Sequence, residues 1–453
     1  MDQNYKNHSF FRTVCSLAVP VTLQSMLQSS FSIVDQIMIG QLGSVSVAGV
    51  GLAAKFVSIF TVVTAALGAV SGIMISQYLG QHNDMEVKRS FFLNLYLALG
   101  TGALFTILCL FFPGQIMGLY TADPATLSDG AGYLAILSGT FFLTAGTVML
   151  STLFRCMEKA SLPLYASLFA AAANTALNYL LIFGKLGFPA MGAAGAAIAT
   201  VISQFLNLAL MFFMYIKQSQ QFSLSGAPSF RKVPFSWKQY AGILLPMLIC
   251  EFFWSLGENV YAAIYGRLGT DASAAMTLTN PMQGLMIGAL CGLSQAASVI
   301  IGKMLGNNDS DGACLAAKKL VLYGFAGSFI LSAVIIFTRR YYVEIYQVED
   351  SVKILTQNIL LAYALISPFK IQNMILGGGI LRSGGKTNYV MLIDLIGTWA
   401  FGVPLGLLAA FVLKLPVSAV YFMLSLEECI RFVLSIRVFR SRKWIARLKA
   451  SES

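Results

Sequence analysis

The sequence predicts an all-α integral membrane protein, with twelve transmembrane helices arranged as two six-helix bundles related by a pseudo-twofold axis. Composition, the spacing of apolar runs and an internal repeat support this prediction. Of the 453 residues, 57% are hydrophobic and only 11% are charged, whereas soluble domains carry roughly a quarter charged residues. Apolar runs of about 20 residues, the length that spans a bilayer, recur from one end of the chain to the other.

Polar breaks between these runs define the predicted helices and domains. The twelve helix centres lie near residues 27, 62, 100, 140, 173, 203, 253, 288, 326, 366, 400 and 425. The longest break lacks acidic residues and falls at the midpoint, which predicts a linker (217–238) between an N-terminal bundle (1–216) and a C-terminal bundle (239–436). A basic tail (437–453) follows the second bundle.

The basic residues predict the orientation in the membrane. Most of the 30 Lys and Arg fall in loops on the same side as the two termini. The positive-inside rule therefore predicts cytoplasmic termini, a cytoplasmic linker and a multi-pass protein of the cell inner (plasma) membrane. The net charge of +11 then faces anionic membrane lipids, so we expect no nucleic acid partner.

An internal repeat relates the two halves of the chain. A shift of 226 residues superimposes Pro20 on Pro246, Gly40 on Gly266, Gly43 on Gly269 and Gly80 on Gly306. Because each copy holds an even number of helices, both copies share one orientation and are related by an axis along the membrane normal. We expect a cleft between the two bundles, as in a carrier, and this plan disfavours a channel.

Polar residues recur on one face of the first helix and of its repeat. The first set, at steps of 3, 4 and 3, consists of Ser25, Gln28, Ser32 and Asp35, and the shift maps it onto Glu251, Trp254, Glu258 and Tyr261. A charged side chain at mid-bilayer costs about 2.5–3.5 kcal/mol or more, so such residues are usually functional. A hydrogen bond that merely joins two helices is the alternative for each carboxylate.

Further polar residues lie in other predicted spans. Asn174 and Asn178 are one turn apart in the fifth helix, where their amides suit a buried carboxylate or a structural bond between helices. Asp394 suits either an ion pair or a substrate contact. Glu427, Glu428 and Arg431 are spaced for pairing within a single helix.

The sequence resembles the multidrug and toxic compound extrusion (MATE) family. Four segments carry the resemblance: "VDQIMIGQLG", "LFRCMEKASLP", "ILRSGGKTN" and "NTALNYLLIFG". The resemblance implies a cation-coupling role for Asp35, assisted by Asn174 and Asn178. Trp254 and Ile371 stand where members of the family often have acidic residues, which argues against a sodium site in the second half.

The resemblance implies a secondary active exporter that exchanges small cationic amphipathic drugs for protons or sodium by alternating access. If sodium is the coupling ion, we expect Asp35 to bind it; no cofactor is expected. For substrate binding the predicted residues are Gln28, Glu251, Trp254, Glu258 and Tyr261.

A flippase and a membrane-embedded enzyme are the two other function classes to compare with the exporter. A flippase for a lipid-linked saccharide precursor is the alternative, because Lys55 and Lys370 could contact a pyrophosphate. The chain has only two histidines and no acidic metal motif within a span, so we do not expect an enzyme. We expect a monomer whose partners are drugs and membrane lipids.

Overall fold

The computed structural model describes residues 3–219, 236–346 and 348–449, which form helices joined by short turns. Most of the predicted linker 217–238 therefore lies outside the described residues. The helices before the linker are α1 (Gln3–Gly40), α2 (Ser44–Gly80), α3 (Asp84–Phe111), α4 (Pro113–Gly118), α5 (Pro124–Leu137), α6 (Gly139–Cys156), α7 (Ser161–Phe183) and α8 (Gly192–Ser219).

The helices after the linker include three π-helical segments, which are rare and often mark functional positions. The α-helices are α9 (Trp237–Arg267), α10 (Thr270–Gly306), α11 (Ser310–Glu344), α12 (Asp350–Asn373), α13 (Asn388–Leu395), α14 (Val403–Leu407), α15 (Val417–Ser425) and α16 (Glu427–Ser441). The π segments are Met374–Leu381, Ile396–Gly402 and Leu408–Val412. The first extends α12 and contains three consecutive glycines.

The prediction of an all-α multi-span protein is confirmed, and every predicted helix centre lies within a helix. Within the described residues, ten helical stretches are long and apolar enough to cross a membrane, and the pair α5–α6, bent by 45°, makes an eleventh. The remaining predicted span corresponds to α15 and α16. Neither helix is long enough to cross a membrane alone, since α15 has 9 residues and α16 has 15.

The backbone of the two halves repeats at the same 226-residue shift. Gly43 and Gly269, which directly precede the second helix of each copy, both have positive φ, at 95° and 119°. His82 and Asn308 take φ of 55° and 63° before equivalent helix starts. Since left-handed conformations are uncommon outside glycine, their recurrence at matched positions supports the duplication independently of side-chain identity.

The chain divides into two compact units. The N-unit comprises residues within 23–75 and 83–234, and the C-unit comprises residues within 1–22, 76–82 and 235–450. The domain boundaries predicted from sequence stay a prediction.

Within the C-unit, the ends of α2 and α10 approach each other through glycines. A Cβ placed on Gly80 would meet the carbonyl oxygen of Lys303, and one placed on Gly306 would meet that of Gln77. Gln77 and Lys303 are themselves related by the 226-residue shift. The contact is therefore reciprocal, as expected when two copies of one element pack on each other.

Candidate functional site

Asp35 is the membrane carboxylate of the N-unit, and its side chain is half-buried in α1. Asn178 of α7, which is fully buried, donates a hydrogen bond from Nδ2 to Asp35 Oδ1. A hydrogen bond to an ionised group is roughly twice as strong as a neutral one. Asp35 and Asn178, both of which were predicted from the sequence as site residues, are thus in direct contact.

The hydrogen bonds continue from Asn178 along α7 and across to α8. Asn178 Nδ2 also donates to Asn174 Oδ1 at 3.2 Å, and Asn174 Nδ2 donates to Thr200 Oγ1 at 3.5 Å. Tyr133 of α5 is buried and lies within electrostatic range of Asp35. These contacts assemble α1, α5, α7 and α8 around one carboxylate.

The two carboxylate oxygens of Asp35 differ, because Oδ1 accepts a hydrogen bond from Asn178 and Oδ2 does not. Among the described residues its Oδ2 has no hydrogen-bond partner, and the buried Oδ1 of Asn178 also lacks one. A proton or a small cation could occupy this position. Gln28, two turns earlier on the same face, is exposed.

In the C-unit the predicted stripe on α9 divides into paired and exposed residues. Glu251 Oε1 accepts a hydrogen bond from Arg382 Nη1 at 3.1 Å. Trp254, 48% exposed, and Glu258 lie at the surface. Tyr261 is buried, with 6% exposure, and its hydroxyl donates to Glu427 Oε2 at 2.6 Å.

Arg382 begins a network of charges that crosses several elements. Its Nη2 lies 4.0 Å from Asp394 Oδ2, and Asp394 Oδ1 accepts a hydrogen bond from Arg431 Nη2. The Cys250 thiol donates to Asp394 Oδ2 at 2.8 Å. Of the two roles considered for Asp394, the structure favours the ion pair.

Glu428 extends the network to α12. Its Oε2 lies 3.5 Å from Arg431 Nη1 and its Oε1 lies 4.0 Å from Lys370 Nζ. Asn373 Nδ2 also donates to Glu428 Oε2 at 2.8 Å. The predicted pairing within one helix holds for Glu428 and Arg431 only, because Glu427 turns towards Tyr261. We call the following set the ion-pair network: Glu251, Lys370, Arg382, Asp394, Glu428 and Arg431.

A cavity of about 240 Å³ opens beside this network within the C-unit. Its walls combine charged side chains with Trp254 and with the backbone of Gly377 and Gly378 in the π segment Met374–Leu381. Asn373, 9% exposed, also lines it, and its Oδ1 has no partner. The cavity therefore has a polar wall in which one side-chain oxygen, Oδ1 of Asn373, has no hydrogen-bond partner from the protein.

Sequence reasoning missed several of these residues. Thr200 is one of several hydroxyl residues in the largely apolar α8, and Arg382 lies 131 residues from Glu251. Spacing along one helix reveals partners within that helix, whereas pairs between distant elements leave no such pattern. For Arg382 a signal was available, because it matches Arg155 in the repeated loop at a shift of 227.

The sequence profile of the MatE family matches residues 20–180 and 246–425, which together make up more than half of the chain. The two matched segments begin 226 residues apart, the same shift that relates the helix ends. The chain belongs to the MatE family. The predicted family resemblance is thereby confirmed.

Curated MatE relatives align over nearly their whole length. The chain is 25% identical over 447 residues to the probable multidrug resistance protein NorM of Thermotoga maritima, covering 96% of this chain and 93% of that protein. It is 23% identical to the uncharacterized transporter YisQ of Bacillus subtilis, covering 95% and 94%.

A solved structure shows the same fold. The Vibrio cholerae MATE transporter VcmN matches with a TM-score of 0.87 at 17% identity, covering 96% of this chain and 98% of that one. The fold class predicted from sequence therefore agrees with that of a solved MATE transporter.

Proposed function

We propose that this chain is a secondary active multidrug exporter, which exchanges cationic amphipathic compounds for protons or sodium by alternating access. The observation that carries the proposal is Asp35, a carboxylate in a membrane helix held by the buried amide of Asn178. The multidrug resistance names of relatives such as NorM and MdtK support the drug class.

Asp35 provides exchange because a proton and a cation compete for one carboxylate. Burial disfavours an uncompensated negative charge, so the empty site takes up either a proton or a cation. Binding of one displaces the other, and alternating exposure to the two sides of the membrane converts this competition into antiport. Asn178 and Asn174 hold the carboxyl in one orientation through both states.

For a neutral compound, the membrane potential sets the size of the drug gradient. It supplies about 2.3 kcal/mol per charge per 100 mV, so one ion entering at ~150 mV provides roughly 3.5 kcal/mol. At about 1.4 kcal/mol per tenfold, a neutral compound could be concentrated a few hundredfold. One coupled ion is therefore sufficient for export of a neutral compound, whereas one-for-one exchange with a singly charged drug moves no net charge and is driven by the concentration gradient of the ion.

The exposed residues of α9 are the ones that suit a cationic substrate. Glu258 offers a carboxylate and Trp254 an aromatic face, which attracts cations through cation–π contact. Glu251 is engaged by Arg382, so a drug cation would have to displace a guanidinium there. Tyr261 is buried and bonded to Glu427. We therefore assign substrate attraction to Glu258 and Trp254, with Gln28 as a further exposed polar contact.

The flippase alternative depends on basic residues that are free to bind a pyrophosphate. In the C-unit, Lys370, Arg382 and Arg431 line the cavity, but each has a carboxylate partner within 4.0 Å. Lys55 is exposed, and a single cation is a weak anchor for a pyrophosphate. The ion pairs thus favour the exporter.

Purified protein in liposomes tests the proposal. A proton gradient and a sodium gradient are imposed separately, and movement of a fluorescent cationic drug is followed. We expect transport with one gradient and little with the other. Absence of drug movement under both gradients, with gradient-independent movement of a labelled lipid-linked saccharide, would establish the flippase instead.

A further inference from the structure

Among the described residues of the C-unit, one buried carboxyl group has no ion pair. In the ion-pair network three carboxylates (Glu251, Asp394 and Glu428) meet three cations (Lys370, Arg382 and Arg431). The charges within this set balance. Glu427 is an additional acid beside it, with 6% exposure.

Glu427 has a neutral partner where the other acids have cations. Its Oε2 accepts the Tyr261 hydroxyl at 2.6 Å, and no Lys or Arg of the described residues lies within ion-pair distance. Arg431 is one turn away, but its Nη1 and Nη2 are directed to Glu428 and Asp394. A buried carboxylate without a cation is costly, and such groups become neutral by taking up a proton.

The groups that face Glu427 come from four helices. They are Glu428 and Arg431 of α16, Tyr261 and Tyr265 of α9, Lys370 of α12 and Tyr421 of α15. Both cations of this set, Arg431 and Lys370, are already paired with other carboxylates. No free positive charge remains to hold Glu427 ionised.

The local backbone encloses the pair of Glu427 and Tyr261. A Cβ added to Gly402, the last residue of the π segment Ile396–Gly402, would collide with both the Tyr261 hydroxyl and Glu427 Oε2. The glycine thus lets the backbone seal this side of the pair. On the other side, Glu258 lies three residues before Tyr261, on the same face of α9, and is exposed.

We propose that Glu427 is a second proton-binding carboxyl of the transport cycle, with the Tyr261 hydroxyl as its hydrogen-bond partner. A proton taken up by this carboxyl leaves Oε2 able to accept from the Tyr261 hydroxyl, and its release restores the carboxylate with the same partner. The inference rests on ion-coupled export, and it gives the C-unit a proton of its own in addition to the cation at Asp35.

Infrared difference spectroscopy tests the site without requiring transport. Spectra of the purified protein between acidic and alkaline pH report the carboxyl C=O band of each group that binds a proton. In Glu427→Gln, where the amide keeps the size and can still accept from Tyr261, we expect loss of one such band and of one proton in potentiometric uptake. Glu344→Gln is the matched control, because it removes a 68% exposed glutamate of the same unit. It shows how the measured proton uptake changes when an exposed acid is removed.

Tyr261→Phe supplies a second variant with nearly unchanged packing. It should retain the Glu427 band but shift its frequency, because the carboxyl group loses the hydrogen bond from the Tyr261 hydroxyl. Thermal unfolding of both variants verifies that they are folded. An unchanged band and proton count in Glu427→Gln would overturn the proposal.

Transport measurements separate this proposal from the proposed function. If the wild-type protein is driven by a proton gradient and Glu427→Gln exports with the same pH profile and the same proton count per drug, Glu427 is no part of the cycle. If the wild-type protein shows no gradient-driven export at all, the proposed function fails, whatever the infrared bands show. A reduced proton count in Glu427→Gln, with Asp35 intact, supports the second site.

Discussion

Replacing Asp35 by asparagine removes the charge of the coupling site while it retains the shape. In the native structure Asp35 Oδ1 accepts from Asn178 Nδ2, and an asparagine oxygen can accept the same bond. A hydrogen bond to a charged group contributes about 1.5–3 kcal/mol and a neutral one about 0.5–1.5 kcal/mol. The variant should therefore lose only about 1 kcal/mol of unfolding free energy.

The functional loss should be much larger than the loss of stability. Without the carboxyl group at which the driving ion and the drug cation compete, the roughly 3.5 kcal/mol that one ion supplies at ~150 mV is no longer coupled to the drug. Accumulation of a neutral substrate in inside-out vesicles should fall from a few hundredfold to about equal concentrations. Asp84→Asn, an exposed acid of the same unit, should leave accumulation unchanged.

Two measurements together decide the role of Asp35. Drug binding to detergent-solubilised Asp35→Asn, measured by fluorescence, shows whether the binding surface is intact, and vesicle uptake shows whether the gradient is used. Normal accumulation with unchanged ion dependence would refute the reasoning, and Asp35 would then be a structural link between α1 and α7.

Three further predictions follow from the sequence and structure. A membrane-impermeant thiol reagent applied to intact cells should not label a cysteine introduced into the 217–238 linker of a cysteine-free variant; labelling from outside would reverse the predicted orientation. Glu258→Gln should weaken binding of cationic drugs by about 1 kcal/mol, roughly fivefold, and neutral drugs much less; equal losses would exclude charge attraction. Gly80→Ala should lower the unfolding free energy by about 1–3 kcal/mol because its Cβ meets the carbonyl of Lys303, whereas Gly266→Ala, with no atom within 4 Å, should not; equal melting temperatures would contradict the close packing of α2 on α10.

The sequence predicted the spans well because a bilayer imposes a length and an apolar composition that can be counted. Every predicted centre falls in a helix, and the repeat is visible even in the left-handed residues Gly43 and Gly269. The π segments and the bend between α5 and α6 were not predicted. They depend on which carbonyl each N–H group bonds, and residue type only weakly determines that choice.

The candidate site was predicted in part. The spacing of Asn174 and Asn178 indicated partners for a carboxylate, and the structure places Asn178 on Asp35. On α9 the helical period identified one face but not its surroundings, so the buried Tyr261 and the 48% exposed Trp254 received the same expected role. The direction in which such a face points depends on neighbouring helices, and the pairing of Glu251 with Arg382 could not be read from α9 alone.

The two copies have diverged at the position where the first helix carries its carboxylate. In the N-unit, Asp35 accepts from an amide and no cation lies within ion-pair distance in the described residues. In the C-unit the equivalent residue, Tyr261, is a donor, and the carboxyl group that it serves belongs to α16. Both arrangements place one carboxyl group without a cation partner beside a neutral hydrogen-bond donor. The carboxyl group belongs to the first helix of the first copy and to the last helix of the second copy. A neutral partner leaves such a group free to alternate between a bound proton and a bound cation, whereas an arginine partner would fix it in the ionised form. Glu251, Asp394 and Glu428 of the ion-pair network are fixed in that way, so under our proposal for Glu427 the change from Asp to Tyr at this position leaves the second copy with an exchangeable carboxyl.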